Sequence, residues 1–178
     1  MNLPNKLTVA RIVMTAFMIA FLLIGGTAAK WLSLVLFCAA ALTDWFDGRI
    51  ARSQGLVTNF GKFMDPLADK ILNYSVMLLL IPEGLIPTVA VVLILFREFV
   101  VSGIRLAGAE QGVVIAANVW GKLKTLFQDL SLVAILLLRA LDAPILAPLS
   151  QVLIWICAAL TVVSGVIYVA QNAKVLKE

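Results

Sequence analysis

Six apolar runs, separated by charged residues, make up most of the chain. They cover residues 12–29, 31–43, 71–82, 84–96, 130–138 and 143–173. A membrane-spanning helix needs about 20 residues, so the first and last runs are long enough on their own. The four middle runs reach that length only when the charged residues beside them lie within membrane depth. The pattern therefore predicts an all-α, polytopic membrane protein with six transmembrane helices and ionisable groups inside the membrane.

The charged residues that must enter the membrane gather at one end of each middle helix. Asp44 and Asp47 end the second predicted helix, and Asp65 and Asp69 begin the third. The fourth and fifth predicted helices take in Arg97, Glu98, Arg105, Lys122, Lys124 and Asp129. Because consecutive helices cross the membrane in opposite directions, these ends all lie on the same side. We expect one polar cavity there, between helices that are otherwise apolar.

The positive charges predict which side of the membrane this is. If both termini are cytoplasmic, only Lys30 and Arg139 of the 14 lysines and arginines lie outside. Cytoplasmic loops carry an excess of such residues in membrane proteins, so the N- and C-termini and the polar cavity are predicted to face the cytoplasm. A cleaved signal peptide is the alternative for the first helix, but the apolar run exceeds the ~7–15 residues of such a peptide.

Composition agrees with a membrane protein and narrows the chemistry. Of the 178 residues, 62 % are hydrophobic and 13 % are charged, whereas soluble domains average about 45–50 % and about 25 %. The mean hydropathy of +1.05 excludes the classes of soluble, disordered and nucleic-acid-binding proteins. Since no repeat or linker divides the sequence, we predict that residues 1–178 form a single membrane domain. The chain has no histidine, and Cys38 and Cys157 sit in apolar runs, so a zinc or copper site of nitrogen and sulfur ligands cannot form. Any metal must be bound by oxygen.

Four aspartates form the densest cluster of charge. Asp44 and Asp47 are three residues apart and Asp65 and Asp69 are four apart, so each pair lies on one face of a helix. Two unit charges ~4 Å apart repel by about 4 kcal/mol at an effective dielectric near 20, and four carboxylates therefore need a cation to stay ionised together. Carboxylate oxygens favour Mg²⁺ or Mn²⁺, with Ca²⁺ as a competitor, and the four ligands accommodate two ions. The alternative is that the acids are neutral, solvated or paired with nearby arginines and lysines, which four acids on two consecutive helix faces disfavour.

The residues between the two aspartate pairs suit a phosphate-bearing ligand. Gly48 and Gly61 allow a ligand to approach the backbone closely, although small residues also serve helix packing in membranes. Arg52 offers a planar fork for phosphate oxygens. Paired metal ions beside such a ligand are typical of displacement at phosphorus.

The pattern D-x2-D-G-x2-A-R-x8-G-x3-D-x3-D resembles the signature of the CDP-alcohol phosphotransferases. Every fixed position is matched, by Asp44, Asp47, Gly48, Ala51, Arg52, Gly61, Asp65 and Asp69. Members of this family are membrane enzymes that move a phosphatidyl or similar group from a CDP-linked donor to an alcohol and release CMP. The resemblance implies a homodimer, metal binding by the four aspartates and a second role for Asp69 as general base. It also implies that the CDP site is lined by Gly48, Ala51, Arg52 and Gly61.

Looser stretches resemble the bacterial branch of the family that uses glycerol 3-phosphate as acceptor. These stretches are residues 2–5 with Thr8 and Arg11, residues 97–99, residues 102–105 and residues 121–125. The implied substrates are CDP-diacylglycerol and glycerol 3-phosphate, and the implied location is the bacterial inner membrane. An acceptor that carries phosphate needs a cationic subsite near the metals, for which the candidates are Arg97, Arg105 and Lys122. Anchoring at the cytoplasmic surface explains Lys124 and Arg11 equally well.

The sequence leaves two alternatives open. A sister enzyme that uses serine, inositol phosphate or phosphatidylglycerol as acceptor would carry the same signature. A membrane cation transporter would explain the carboxylates. It would not explain Gly48, Arg52 and Gly61 at their spacing, nor the lack of charge at the outer ends of the middle helices.

Overall fold

A computed structural model describes residues 3–54, 59–113, 115 and 119–173, and the side chains of residues 3–4, 44–54 and 59–63 lie outside what it describes. The described residues form six helices and no strand. The helices are α1 (Leu3–Ile24), α2 (Thr27–Gln54), α3 (Asn59–Leu79), α4 (Thr88–Glu110), α5 (Val119–Ala140) and α6 (Leu146–Gln171). The prediction of an all-α chain with six helices is confirmed for this part of the chain. Six membrane spans and cytoplasmic termini stay predictions.

The middle helices extend past their apolar runs into the charged segments, as the length argument predicted. Helix α2 contains Asp44 and Asp47, and α3 contains Asp65 and Asp69. Helices α4 and α5 likewise contain every charged residue predicted for the fourth and fifth spans. The backbone at both aspartate pairs is therefore helical, which the argument from their spacing required.

Two glycines end the first helix inside the first apolar run. Gly25 and Gly26 adopt φ angles of 71° and 81°, a region that residues with a side chain rarely occupy. Helix α2 starts directly after them, and Lys30 in its first turns forms an ion pair with Asp142 in the connection between α5 and α6. The turn between α1 and α2 is thereby tied to the turn that precedes α6.

Two helices are long and apolar enough to cross a membrane, namely the part of α1 from Asn5–Ile24 and the whole of α6. The side chains of α6 are arranged as in a helix surrounded by lipid. Trp155 and Val166 are 46 % and 65 % exposed, whereas Ser150 and Ser164 are buried. Small and polar residues inside, with large apolar residues outside, are typical of helix packing in membranes. The two helices support association of the chain with a membrane.

The chain packs as two compact units. The first consists of Met1–Pro82 and Leu132–Leu146, and the second of Glu83–Ser131 and Ala147–Glu178. In the first unit α1 packs against α2 and α3, around fully buried apolar side chains such as Phe37. The second unit contains α4, α6 and the N-terminal half of α5. The predicted metal ligands belong to the first unit, and the predicted acceptor residues belong to the second.

Candidate active site

The described half of the aspartate cluster lies on one face of α3. Asp65 and Asp69 are four residues apart in this helix, which brings their side chains to the same face. Both side chains are partly buried. Asn73 lies one turn further along that face and is buried. Helix α3 thus carries a polar stripe beside buried apolar residues such as Leu72.

Helix α1 supplies a hydrogen bond to this stripe. Thr8 Oγ1 donates to Asp65 Oδ1 over 2.6 Å, and Thr8 is buried. Arg11 and Thr15 continue the buried polar face of α1 at helical spacing, and Thr15 Oγ1 donates to the carbonyl oxygen of Arg11 over 2.8 Å. A short hydrogen bond to a carboxylate fixes its orientation. Thr8 therefore orients one of the two described carboxylates.

The other predicted residues of the metal and CDP sites have side chains outside the described part of the chain. Helix α2 contains Asp44, Asp47, Gly48, Ala51 and Arg52, and Gly61 is in α3. Helices α2 and α3 contact each other, which a site shared between them requires. That the four carboxylates meet, and that the other residues line a CDP site, stay predictions.

The donor chemistry of the described half fits a hard divalent cation. Asp65 and Asp69 offer carboxylate oxygens from one helix face, and no histidine is present in the chain. Among the described side chains, no three potential ligands come together. Helix α3 offers two candidate ligands, and the prediction assigns the other two to Asp44 and Asp47. All-oxygen ligation is what Mg²⁺ and Mn²⁺ prefer.

Three charged side chains meet in the interior of the second unit. Arg97 Nη1 and Lys124 Nζ both donate to Glu98 Oε1, over 2.8 and 2.9 Å. Arg97 and Lys124 are buried, and the Glu98 side chain is 17 % exposed. Two cations against one carboxylate leave a net positive charge in this cluster. Buried charges persist only when they are paired, so Glu98 is essential to keeping both cations inside.

Helix α6 leaves room for Arg97 at a glycine. A Cβ atom at Gly165 would lie 2.8 Å from Arg97 Cγ, closer than carbon atoms normally approach. Arg97 also borders a cavity of about 410 Å³ between α4 and α6, whose other lining residues are apolar or glycine. Glu98 therefore holds the guanidinium of Arg97, while the stem of the arginine packs against the glycine of α6.

Tyr168 of α6 holds Arg105, which lies near the end of α4. Arg105 Nε donates to Tyr168 Oη over 3.1 Å, and the guanidinium carbon is 5.5 Å from the centre of the tyrosine ring. The Nη1 and Nη2 groups of Arg105 have no protein partner in the part of the chain that the structure describes. Lys122 of α5 is exposed and has no described partner either. Of the three predicted acceptor residues, Arg105 and Lys122 have N–H donors without a described protein partner. Arg97 donates to Glu98.

The sequence analysis assigned no role to three residues that make the contacts described above, namely Thr8, Glu98 and Tyr168. Thr8 and Glu98 stood within the stretches that resemble the branch using glycerol 3-phosphate, so the sequence carried a signal for them. Tyr168 stood inside the apolar run 143–173, where the hydrophobic pattern does not distinguish it from its neighbours.

Known proteins resemble this chain over most of its length. The family model for CDP-alcohol phosphatidyltransferase matches residues 1–163. A Bacillus subtilis (strain 168) protein named CDP-diacylglycerol–glycerol-3-phosphate 3-phosphatidyltransferase is 41 % identical over 99 % of this chain and 97 % of its own length. A protein of the same name from Rickettsia typhi is 40 % identical over 94 % of each chain. The family match includes the signature at 44–69 and the cationic residues of α4 and α5, and it ends before Tyr168.

Proposed function

The chain belongs to the CDP-alcohol phosphatidyltransferase family, and from this premise we propose that it transfers a phosphatidyl group from CDP-diacylglycerol to glycerol 3-phosphate. The products are phosphatidylglycerol phosphate and CMP. The observation that carries the proposal is the identity of 41 % and 40 % to two proteins named for this reaction, over nearly the whole chain. The complete match to the family signature between Asp44 and Asp69 supports transfer from a CDP-linked donor, whereas the choice of acceptor rests on the two relatives.

The donor site is formed by the two aspartate helices. Mg²⁺ or Mn²⁺, as two ions, is bound by Asp44, Asp47, Asp65 and Asp69. When bound, the metal spreads the charge of the pyrophosphate and makes CMP a better leaving group. The shared face of Asp65 and Asp69 and the hydrogen bond from Thr8 support this assignment. The CDP group is bound beside Gly48, Ala51, Arg52 and Gly61.

Asp69 is the general base. The hydroxyl oxygen of glycerol 3-phosphate attacks the phosphorus on the lipid side of the pyrophosphate and forms a new P–O bond. The bond from that phosphorus to the CMP oxygen breaks, and its electron pair leaves with CMP. The hydroxyl proton passes to the Asp69 carboxylate. A base within reach of the attacking hydroxyl contributes about 10²–10⁴ in rate.

The phosphate of the acceptor is bound by Arg97, Arg105 and Lys122 in the second unit. Guanidinium groups bind phosphate through two parallel hydrogen bonds, which fixes orientation as well as charge. The Nη groups of Arg105, which have no partner among the described residues, and the exposed Lys122 support direct contact. Arg97 contributes through the net positive charge that it shares with Glu98 and Lys124.

We place the protein in a bacterial inner membrane as a homodimer with six spans per chain. Both termini and the active site face the cytoplasm, an orientation that the distribution of lysine and arginine supports. A site on that side is open to the water-soluble acceptor and releases CMP into the cytoplasm. The lipid donor reaches it from the bilayer.

An acceptor panel tests the function. Purified protein in detergent is supplied with CDP-diacylglycerol and, in separate reactions, glycerol 3-phosphate, serine, inositol phosphate or phosphatidylglycerol, and CMP release is measured. We expect CMP release with glycerol 3-phosphate and no release with the other three acceptors. Preference for another acceptor would make the chain a sister enzyme, and absence of CMP release with all four would leave the cation transporter as the better account.

A further inference from the structure

Tyr168 is fixed firmly within the second unit. Its side chain is 1 % exposed and packs in one cluster with Val101 and Ile104 of α4. Asn172 Nδ2 donates to the carbonyl oxygen of Tyr168 over 2.8 Å, which satisfies a backbone group at the end of α6. A buried tyrosine normally finds a partner for its hydroxyl group. Here the partner is Arg105, which has no second described protein partner.

The geometry of this contact leaves one edge of the guanidinium free. The Nε group is used by the tyrosine hydroxyl over 3.1 Å, and the ring lies 5.5 Å from the guanidinium carbon. The last turn of α6 carries partial negative charge, which also favours a cation beside it. The edge formed by Nη1 and Nη2 is free of described protein partners and matches two oxygens of one phosphate.

A long arginine side chain loses much rotational freedom when it binds a ligand, and this loss weakens binding. A contact that restrains the side chain beforehand reduces the loss. We propose that Tyr168 is a positioning residue, which holds the Arg105 guanidinium ready for the phosphate of the acceptor and thereby sets the affinity for glycerol 3-phosphate. The inference rests on the proposed function.

The test is the variant Tyr168→Phe, which removes the hydroxyl group and keeps the ring. We expect the KM for glycerol 3-phosphate to rise by about three- to tenfold, because a hydrogen bond to a charged group is lost and the arginine regains freedom. The kcat and the KM for CDP-diacylglycerol should change by less than about twofold. Unequal effects on the two KM values distinguish positioning of Arg105 from general loosening of the unit.

A double-mutant cycle with Arg105→Gln shows whether Tyr168 acts through the arginine. In the Arg105→Gln background, Tyr168→Phe should no longer change kcat/KM for glycerol 3-phosphate, because the group that it positions is gone. Ser164→Ala is the matched control. It removes a hydroxyl from the preceding turn of α6. Within the described residues, Ser164 Oγ donates to the carbonyl oxygen of Thr161 and to no other group, so this variant should leave both KM values unchanged.

The outcomes separate the inference from the proposed function. If wild-type protein uses glycerol 3-phosphate but Tyr168→Phe leaves its KM unchanged, or if the effects of the two substitutions simply add, Tyr168 has no positioning role. If Tyr168→Phe and Ser164→Ala weaken donor and acceptor alike, the tyrosine is structural and the inference is wrong. If wild-type protein uses only an acceptor without phosphate, both the proposed function and this inference are wrong.

Discussion

Substitution of Gly165 by alanine tests the packing of α6 against Arg97. The added Cβ atom would lie 2.8 Å from Arg97 Cγ, about 0.6 Å inside the 3.4 Å at which ordinary contact begins. The atom in the way is in the stem of the arginine and not at its flexible end. Because Arg97 Nη1 is held by Glu98 over 2.8 Å, the stem cannot move aside without disturbing the buried charge cluster.

The expected magnitude follows from two opposing effects. Overpacking of a well-packed interior costs about 1–3 kcal/mol. Alanine in place of glycine within a helix stabilises by roughly 0.5–1 kcal/mol. Gly103→Ala in α4 is the matched control, because a Cβ atom there meets nothing within 4 Å. The difference between the two variants therefore isolates the overpacking cost.

Thermal inactivation of the purified variants in detergent measures this difference. For a chain of this size, about 1–3 kcal/mol corresponds to a midpoint roughly 2–12 °C lower for Gly165→Ala than for Gly103→Ala. Gly103→Ala should equal or exceed wild type. If both variants had the same midpoint, Gly165 would not be the residue that makes room for Arg97, and the described packing of α4 against α6 would be wrong.

Four further predictions concern the reaction. Dialysis against a chelator should abolish CMP release and Mg²⁺ or Mn²⁺ should restore it, whereas full turnover in chelator would exclude the metal site. Asp69→Asn should lower kcat by about 10²–10⁴ while binding of CDP-diacylglycerol survives, and a variant with a third of the wild-type rate would refute the base. Arg105→Gln should lower kcat/KM for glycerol 3-phosphate by roughly tenfold to a hundredfold, and equal weakening toward the donor would count against the acceptor subsite. Thr8→Val should raise the Mg²⁺ concentration needed for half-maximal rate, because Asp65 loses the bond that orients it; an unchanged metal titration would contradict that role.

The hydrophobic pattern was sufficient to predict the six helices, because the length of each apolar run indicates how far its helix must extend. The argument from spanning length predicted that helices continue from the short apolar runs into the charged residues beside them. The structure extends α2 and α4 through Asp47 and Arg105, and the membrane spans themselves stay a prediction. The resemblance to the family signature likewise assigns Asp44, Asp47, Asp65 and Asp69 to a metal site, and that assignment stays a prediction. Hydrophobic periodicity and residue spacing depend on one segment of the chain at a time. Helices can therefore be predicted from them without knowing how the segments pack together.

The contacts within the site could not be predicted in this way, because they depend on which helices become neighbours. Thr8 and Asp65 are 57 residues apart in the sequence, and no local pattern pairs them. Lys122 and Lys124 lie on different faces of α5, since residues two apart on a helix do not share a face. In the folded protein Lys124 is the buried one of the two and contacts Glu98 of α4, a neighbour that the sequence pattern does not reveal. The sequence analysis had chosen Lys122 for the acceptor subsite, and that choice stays a prediction.

The reaction itself is tested most directly by following both halves of the transfer at once. Purified protein is given CDP-diacylglycerol labelled in the cytidine and glycerol 3-phosphate carrying a second label, and the labelled CMP and labelled lipid are quantified over time. The account predicts one CMP released for each glycerol 3-phosphate incorporated into phosphatidylglycerol phosphate, and neither product in the absence of the other substrate. CMP release without incorporation of the second label, or equal release with a different acceptor, would contradict it.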